Sequence, residues 1–256
     1  MARSDAIGTP RRRTSCRRTG VLPGMPPRLS FVWKRRAVAP ACLLAAVALA
    51  AAAVSGQSRH PVSGRVIAQV MGYEGAAWLE RPERESEEQP SKAIAALGVT
   101  AGQVVADVGA GSGYYTVRLA ERVGPTGRVF ATDIQPEMLD LLRARVTRAR
   151  LDQVELVRSS ETDPRLPEGR FDLILMVDVY HELARPQEVL RKLRAALKPD
   201  GRLVLVEFRK ESAWVPIREE HKMSVKEARM ELEAEGYRFD RVIDVLPWQH
   251  VLVFRR

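Results

Sequence analysis

Apolar and polar positions fall into two regimes along the chain. Over residues 1–36 the apolar residues have no period, and an uncharged run, Ala37–Val54 (AVAPACLLAAVALAAAAV), follows. From about residue 88 onward, short apolar runs alternate with stretches of helical spacing. Val104–Val108, Arg128–Thr132, Val154–Val157, Phe171–Val177 and Arg202–Phe208 read as strands. FDLILMV and RLVLVEF are nearly continuous apolar runs, as expected of strands buried on both faces. Glu88–Leu97, Tyr114–Val123, Pro136–Arg148, Pro186–Leu197 and Ser224–Glu235 read as helices. Pro136 suits a first helical position, and Ser224 with Glu227 three residues later makes a capping box. Lys198-Pro199-Asp200-Gly201 predicts a turn. Tyr237–Val245 and His250–Phe254 predict a closing antiparallel pair. Strands and helices in this order predict an α/β fold: seven strands, mainly parallel, with helices on both faces.

Charge divides the chain at the same place. The whole has 41 Lys/Arg against 32 Asp/Glu, a net +9, which by itself suggests a polyanionic partner. Ten of the bases and one of the acids lie in residues 1–56, leaving 31 of each in residues 57–256. The body is neutral, so no nucleic-acid partner is expected. Both cysteines, Cys16 and Cys42, are in the leader, which argues against a disulfide scaffold or a Cys-ligated metal in the body. A basic segment at 1–36, an apolar segment at 37–56 and the small residues Ser55 and Gly56 match a secretory signal. The apolar run would span about 27 Å as a helix, so retention as a membrane anchor through residues 37–54 is the alternative to cleavage. Either way the body is expected outside the cytoplasm, with a cytoplasmic body as the competing case. Met25 opens a leader of more ordinary length (MPPRLSFVWKRR) and is the candidate start site in place of Met1.

The densest chemical signal is Val104-Val105-Ala106-Asp107-Val108-Gly109-Ala110-Gly111-Ser112-Gly113, an apolar strand entering a glycine-rich turn that opens a helix. Ligands of open parallel sheets bind at the carboxyl ends of the strands, near the point where strand order reverses. A dinucleotide fingerprint needs glycine at 114, and Tyr114 stands there. Asp133 ends the next strand, where a carboxylate can hold both hydroxyls of a ribose. On these residues the chain resembles the class I S-adenosylmethionine-dependent methyltransferases, nearest to the branch that includes the ubiquinone/menaquinone-type enzymes. The resemblance covers roughly residues 88–256. It implies a Rossmann-like sheet, a methyltransferase domain over 93–256, and S-adenosylmethionine (SAM) as cofactor. It places Gly109, Gly111 and Gly113 under the methionine part, Asp107 near its amino end, Asp133 on the ribose and Ile134 on the adenine. Residues 160–163 would face the adenine edge, with Asp163 as the candidate, and Asp178 would flank the sulfonium.

Methyl transfer from a sulfonium is an in-line displacement that needs alignment and dryness, and a base only when the nucleophile is protonated. His181 lies just past the fourth strand, where the methyl would project. It is the candidate base, with Tyr180 and His221 as further catalytic candidates. A His181/His221 metal site completed by Glu182 or Glu207 is the sharper alternative. No ligand pair has the compact spacing of a zinc site, so no metal is predicted. Residues 57–92 have few clear elements and read as a strap or lid on the substrate side, with Glu83–Glu88 as a solvated helix start. The expected acceptor is a small or lipid-like molecule. An exported, non-catalytic nucleotide-binding module and an NAD-dependent oxidoreductase are the competing functions. Oligomeric state is not readable from the sequence.

Overall fold

The computed structural model describes residues 58–256; the leader, its apolar run and both cysteines lie outside them. Among the described residues no helix is long and apolar enough to cross a membrane. Eight strands of the described residues form one sheet: β1 (Val104–Val108), β2 (Arg128–Asp133), β3 (Val154–Arg158), β4 (Phe171–Val177), β5 (Leu197–Arg209), β6 (Lys222–Met223), β7 (Arg238–Ile243) and β8 (Gln249–Arg255). The order is β3-β2-β1-β4-β5-β8-β7, with β6 beside β5. The first five strands run parallel, and β8 is antiparallel to both β5 and β7. Strand order reverses between β1 and β4, which makes the carboxyl ends of those two strands the place where a ligand is expected.

Among the described residues, seven α-helices accompany the sheet: α1 (Ala76–Leu79), α2 (Arg84–Glu87), α3 (Pro90–Ala96), α4 (Tyr114–Val123), α5 (Pro136–Ala149), α6 (Pro186–Ala196) and α7 (Val225–Ala234). The continuous apolar runs are explained by the period-two alternation of a strand. In β4, Ile174 and Met176 pack with Leu190 and Leu193 of α6, while Leu173 and Leu175 pack with Leu119 and Val123 of α4 on the other face. Each face carries an apolar layer, so the strand has no polar side to show. The expected capping box of α7 is present: Ser224 Oγ accepts from the Glu227 N–H, and the Glu227 carboxylate accepts from the Ser224 N–H.

Three local expectations change. The helix expected over Glu88–Leu97 begins two residues later, at Pro90, separate from the short α2 before it, because Gln89 sits at φ 52° ahead of Pro90, and a proline disfavours helical geometry in the residue before it. The turn expected at Lys198–Gly201 lies inside β5 as a bulge. Phe171 pairs with Leu197 and Leu173 with Arg202, so extra β5 residues oppose two steps of β4. β6 has no counterpart in the sequence reading. It pairs with Phe208 and Arg209, beyond the point where β4 stops pairing at Val206. It therefore takes the edge of β5 that β4 leaves open.

The segment before β1 is fastened across the carboxyl edge by buried charge. Arg65 donates from Nε to Glu231 Oε1 (2.8 Å), from Nη2 to Glu231 Oε2 (3.1 Å) and from Nη1 to the His181 carbonyl (3.0 Å). His60 Nε2 lies 3.3 Å from Glu231 Oε2. Burial lowers the His60 pKa, with the Glu231 carboxylate opposing. Removing one member leaves a buried charge without a partner, which costs about 3–5 kcal/mol. Glu231→Ala is expected to lose stability of that order in urea unfolding; a loss near zero would show that the strap is not held by this pair.

Candidate active site

The cofactor end is built by backbone. β1 runs into Gly109 at φ +72°, and a side chain there would put its Cβ 2.6 Å from a Val179 methyl. Gly113 starts α4 at φ +86°, where a Cβ would fall 2.1 Å from Leu142 Cδ1. Both positions combine a left-handed backbone with no room, and only glycine meets both conditions. The Gly109 and Ala110 N–H groups donate to the Thr132 carbonyl (2.8 and 2.9 Å), tying the turn to the end of β2. Asp133 closes it: Oδ2 accepts from the Gly111 N–H and Oδ1 from the Gln135 N–H, each at 2.9 Å.

Three aspartates meet here, and burial raises the pKa of each. Asp133 is raised by burial, with the N–H bonds of Gln135 and Gly111 pulling the other way. Asp107 is pushed up to about 6 by burial, against the bond from Thr116 Oγ1 at 2.6 Å and with the Asp133 charge adding to the rise. Asp178 is raised well above its ordinary value, by burial and then by the charges of Glu88 and Glu207. Its backbone sits at φ 54°, a strain of the sort that persists at working sites. Gln249 Nε2 donates to its Oδ2 at 2.6 Å, while Oδ1 is buried without a partner.

These groups border a cavity of 640 Å³ that runs from Gly109, Gly111, Asp133 and Ile134 past Asp178 to His181, Glu182 and His221. At that far pole, Glu207 of β5 is fully buried and fixes the turn after β4. Its Oε1 accepts from the Tyr180 N–H (3.0 Å), and its Oε2 lies 2.6 Å from His181 Nδ1. A carboxylate accepts, so Nδ1 carries the proton and Nε2 of the neutral ring is the lone-pair nitrogen. His221 Nδ1 lies 3.1 Å from that Nε2, and Arg218 donates to His221 Nε2 at 3.1 Å. The result is a chain Glu207–His181–His221–Arg218 in which each ring nitrogen has a partner. β6 makes it, because pairing at the β5 edge sets His221 beside the turn after β4.

Not every candidate reaches the cavity. Tyr180 is a correction: it is fully buried away from the cavity, its hydroxyl 3.5 Å from His60 Nε2 and Arg65 stacked on its ring. In the turn after β4, Asp178, Val179, His181, Glu182 and Leu183 line the cavity, and Tyr180 points the other way. Asp163 is a second correction. Its Oδ1 accepts from the Arg165 N–H and it shapes the loop, while Ser160 and Glu161 reach the lining. Asp107 and Gly113 support the turn from beneath and do not line the cavity. His250 is buried opposite Glu207 on β8, its pKa lowered by burial. The strap contributes Met71, Trp78, Leu79 and Arg84 to the wall. The acidic stretch expected as a solvated helix start holds at Glu83 and Glu85, which are exposed at the start of α2, but not at Glu88: it is buried, accepts from Arg84 Nε at 2.8 Å, and Arg84 stacks on Tyr114. The i,i+4 spacing of Arg84 and Glu88 was the available signal.

For the SAM implied by the resemblance, this pocket fits. It offers a side-chain-free cradle at Gly109 and Gly111, a strand-end carboxylate and an orphaned buried acceptor on Asp178. In the ligand-free protein the raised Asp107 pKa means the fold holds a proton that the unfolded chain releases. Stability from this group is therefore full below about pH 4 and falls as pH rises to about 6, by roughly 2–3 kcal/mol. Asp107→Asn is expected to remove that fall, so its advantage over the parent in urea unfolding grows by this amount between pH 4 and pH 7. A pH-independent difference would contradict the assignment.

Comparison with known proteins agrees with this geometry. The family described as "Methyltransferase domain" matches residues 106–203. The "Ubiquinone/menaquinone biosynthesis C-methyltransferase UbiE" of Pseudomonas fluorescens is 34% identical over 119 residues, 46% of this chain and 46% of its own. The chain thus spans about half the length of the curated relatives it matches. Among solved structures, a putative type 11 methyltransferase from Sulfolobus solfataricus shares the fold at 22% identity (TM-score 0.54, 66% of this chain and 92% of that one). A SAM-dependent methyltransferase from Aquifex aeolicus superposes with a TM-score of 0.68 at 30% identity, over 72% of this chain and 98% of that one. With near-complete coverage of that relative and a pocket suited to the cofactor, the chain belongs to the class I S-adenosylmethionine-dependent methyltransferases.

Proposed function

We propose that this enzyme methylates a small, ring-bearing acceptor with an ionisable hydroxyl, of the quinol type, and that the acceptor sits between the cofactor end and the His181–His221 pole. One observation carries the reading: a single cavity joins the glycine turn and Asp133 to His181 and His221 through apolar walls that include Met71, Trp78, Leu183 and Ile217. A flat apolar ring suits such walls, and its one polar group finds the polar pole. The similarity to the Pseudomonas relative, a C-methyltransferase of ubiquinone/menaquinone biosynthesis, supports a ring carbon as the nucleophile.

SAM supplies a methyl group on a sulfonium, electrophilic without further activation. In this reading Gly109 and Gly111 let the backbone approach its methionine part, Asp133 accepts from the ribose hydroxyls and Ile134 packs on the adenine. Ser160 and Glu161 take the adenine-edge position. Asp178 places a carboxyl oxygen by the sulfonium, and Arg84, paired with Glu88, is a cation of the cavity wall. His181 and His221 hold the acceptor's oxygen, which orients the ring carbon in line with the methyl–sulfur bond. The strap and the 216–218 segment keep water from the reacting atoms.

The test separates cofactor from acceptor. Asp133→Ala is expected to weaken SAM binding by about 10- to 100-fold in isothermal titration, the worth of hydrogen bonds to a charged group. His181→Ala is expected to keep SAM affinity while methyl transfer to a hydroxylated quinol, followed with labelled methyl, falls by about 100-fold or more. Unchanged transfer in His181→Ala would remove the pole from the acceptor site.

A further inference from the structure

Three atoms at the acceptor pole have a spacing that hydrogen bonding alone does not require. His181 Nε2 and His221 Nδ1 are 3.1 Å apart, and Glu182 Oε1 is 3.8 Å from the first and 3.5 Å from the second. Together they form the group of His and carboxylate donors close enough to share one ion among the described residues. Separations of 3.1, 3.5 and 3.8 Å put one point at about 2.0 Å from all three atoms, the length of a zinc–imidazole or zinc–carboxylate bond.

We propose that His181, Glu182 and His221 form a binding site for a divalent transition metal of the zinc type, with an open coordination position facing the acceptor cavity. The second line of support is behind the ligands. A metal-bound histidine commonly gives its other ring N–H to a carboxylate, which fixes the tautomer and makes the ligand nitrogen more basic. Glu207 does this for His181: it is fully buried and lies 2.6 Å from Nδ1, so Nε2 presents its lone pair to the site. Two imidazoles and one carboxylate favour zinc, iron, cobalt or nickel over magnesium or calcium, which prefer all-oxygen sets. Three protein ligands leave a position for water or substrate, the pattern of a working site rather than a structural one.

His221 must change tautomer to bind. In the ligand-free chain its Nδ1 carries the proton and Arg218 donates to Nε2. On metal binding the proton moves to Nε2 and Arg218 leaves. That move is cheap, because the Arg218 side chain is 76% exposed and already has Glu220 Oε1 at 3.5 Å. His181 then serves as a ligand and not as a proton acceptor. The open position would take the acceptor's hydroxyl oxygen, a link that rests on the proposed acceptor. The metal site itself does not rest on it.

The experiment uses the full-length chain after chelator treatment, titrated with cobalt(II) and read by its visible d–d absorption, with zinc binding measured by calorimetry. One equivalent of cobalt, displaced by zinc, is expected. His221→Ala and Glu182→Gln are partly exposed and should fold; each is expected to weaken binding by about 100-fold or more. Glu207→Gln, which removes only the support, should weaken it by about 10- to 100-fold. Replacing Cys16 and Cys42 with serine should change nothing. Absence of the band, binding lost only with the cysteines, or binding indifferent to His221→Ala would overturn the proposal. SAM titration of the same samples keeps the readings apart: a protein that binds SAM but not cobalt remains a methyltransferase without this site.

Discussion

Glu207 brings a carboxylate into the interior of the sheet, where no water reaches it, and the geometry of the acceptor end follows from how that cost is met. A buried carboxylate must be fully bonded or it destabilises the fold. The nearest donors are the Tyr180 N–H and the His181 ring, both in the turn after β4. Binding them sets that turn in one conformation. The His181 carbonyl then faces outward and accepts from Arg65 and from the Ala68 N–H, which seats the strap. The strap in turn supplies Trp78, Leu79 and Arg84 to the cavity wall. One interior charge therefore orients a histidine, a turn and a cover.

The cofactor end follows a complementary electrostatic logic. Asp107, Asp133 and Asp178 are all held above the usual carboxylate range by burial. Their placement is unfavourable in the free protein, and a cationic ligand relieves it. SAM carries a sulfonium and an ammonium, so the arrangement stores affinity for that charge pattern. The left-handed backbone at Asp178 is a second cost at the same place. Strained and desolvated groups concentrate at the β1/β4 switch, while the apolar layers on both faces of the sheet supply the stability that tolerates them.

Much of this was readable in the residue order. The buried strands announce themselves as FDLILMV and RLVLVEF, because a strand covered on both faces has no polar side. The Asp-x-Gly-x-Gly-x-Gly turn and Asp133 one strand later mark the cofactor end, since their positions are set by local backbone needs and by one strand–helix–strand step. Where reading failed, the deciding contact was distant. Tyr180 sits next to His181 in sequence yet points to Glu231 and His60, partners that only the folded chain supplies. Arg84 and Glu88 read as surface charge until Tyr114 stacks against them. Asp163 and Ser160 are three residues apart, and the loop's own hydrogen bonds choose which one faces the cavity.

By itself, the sequence determined the class of fold and the place of the glycine turn, and its resemblance to a known family implied the cofactor. The first two depend on local periodicity and on glycine positions that no other residue can fill. The tertiary structure alone decided what surrounds the transferred methyl. His181 and His221 are forty residues apart, in segments with no shared pattern. They meet because β4 ends before β5 does, and the exposed backbone edge of β5 must find a partner, which β6 supplies. An unpaired edge is costly, and satisfying it carries His221 to the site. No sequence period records that event, since the information lies in the difference in length of two neighbouring strands.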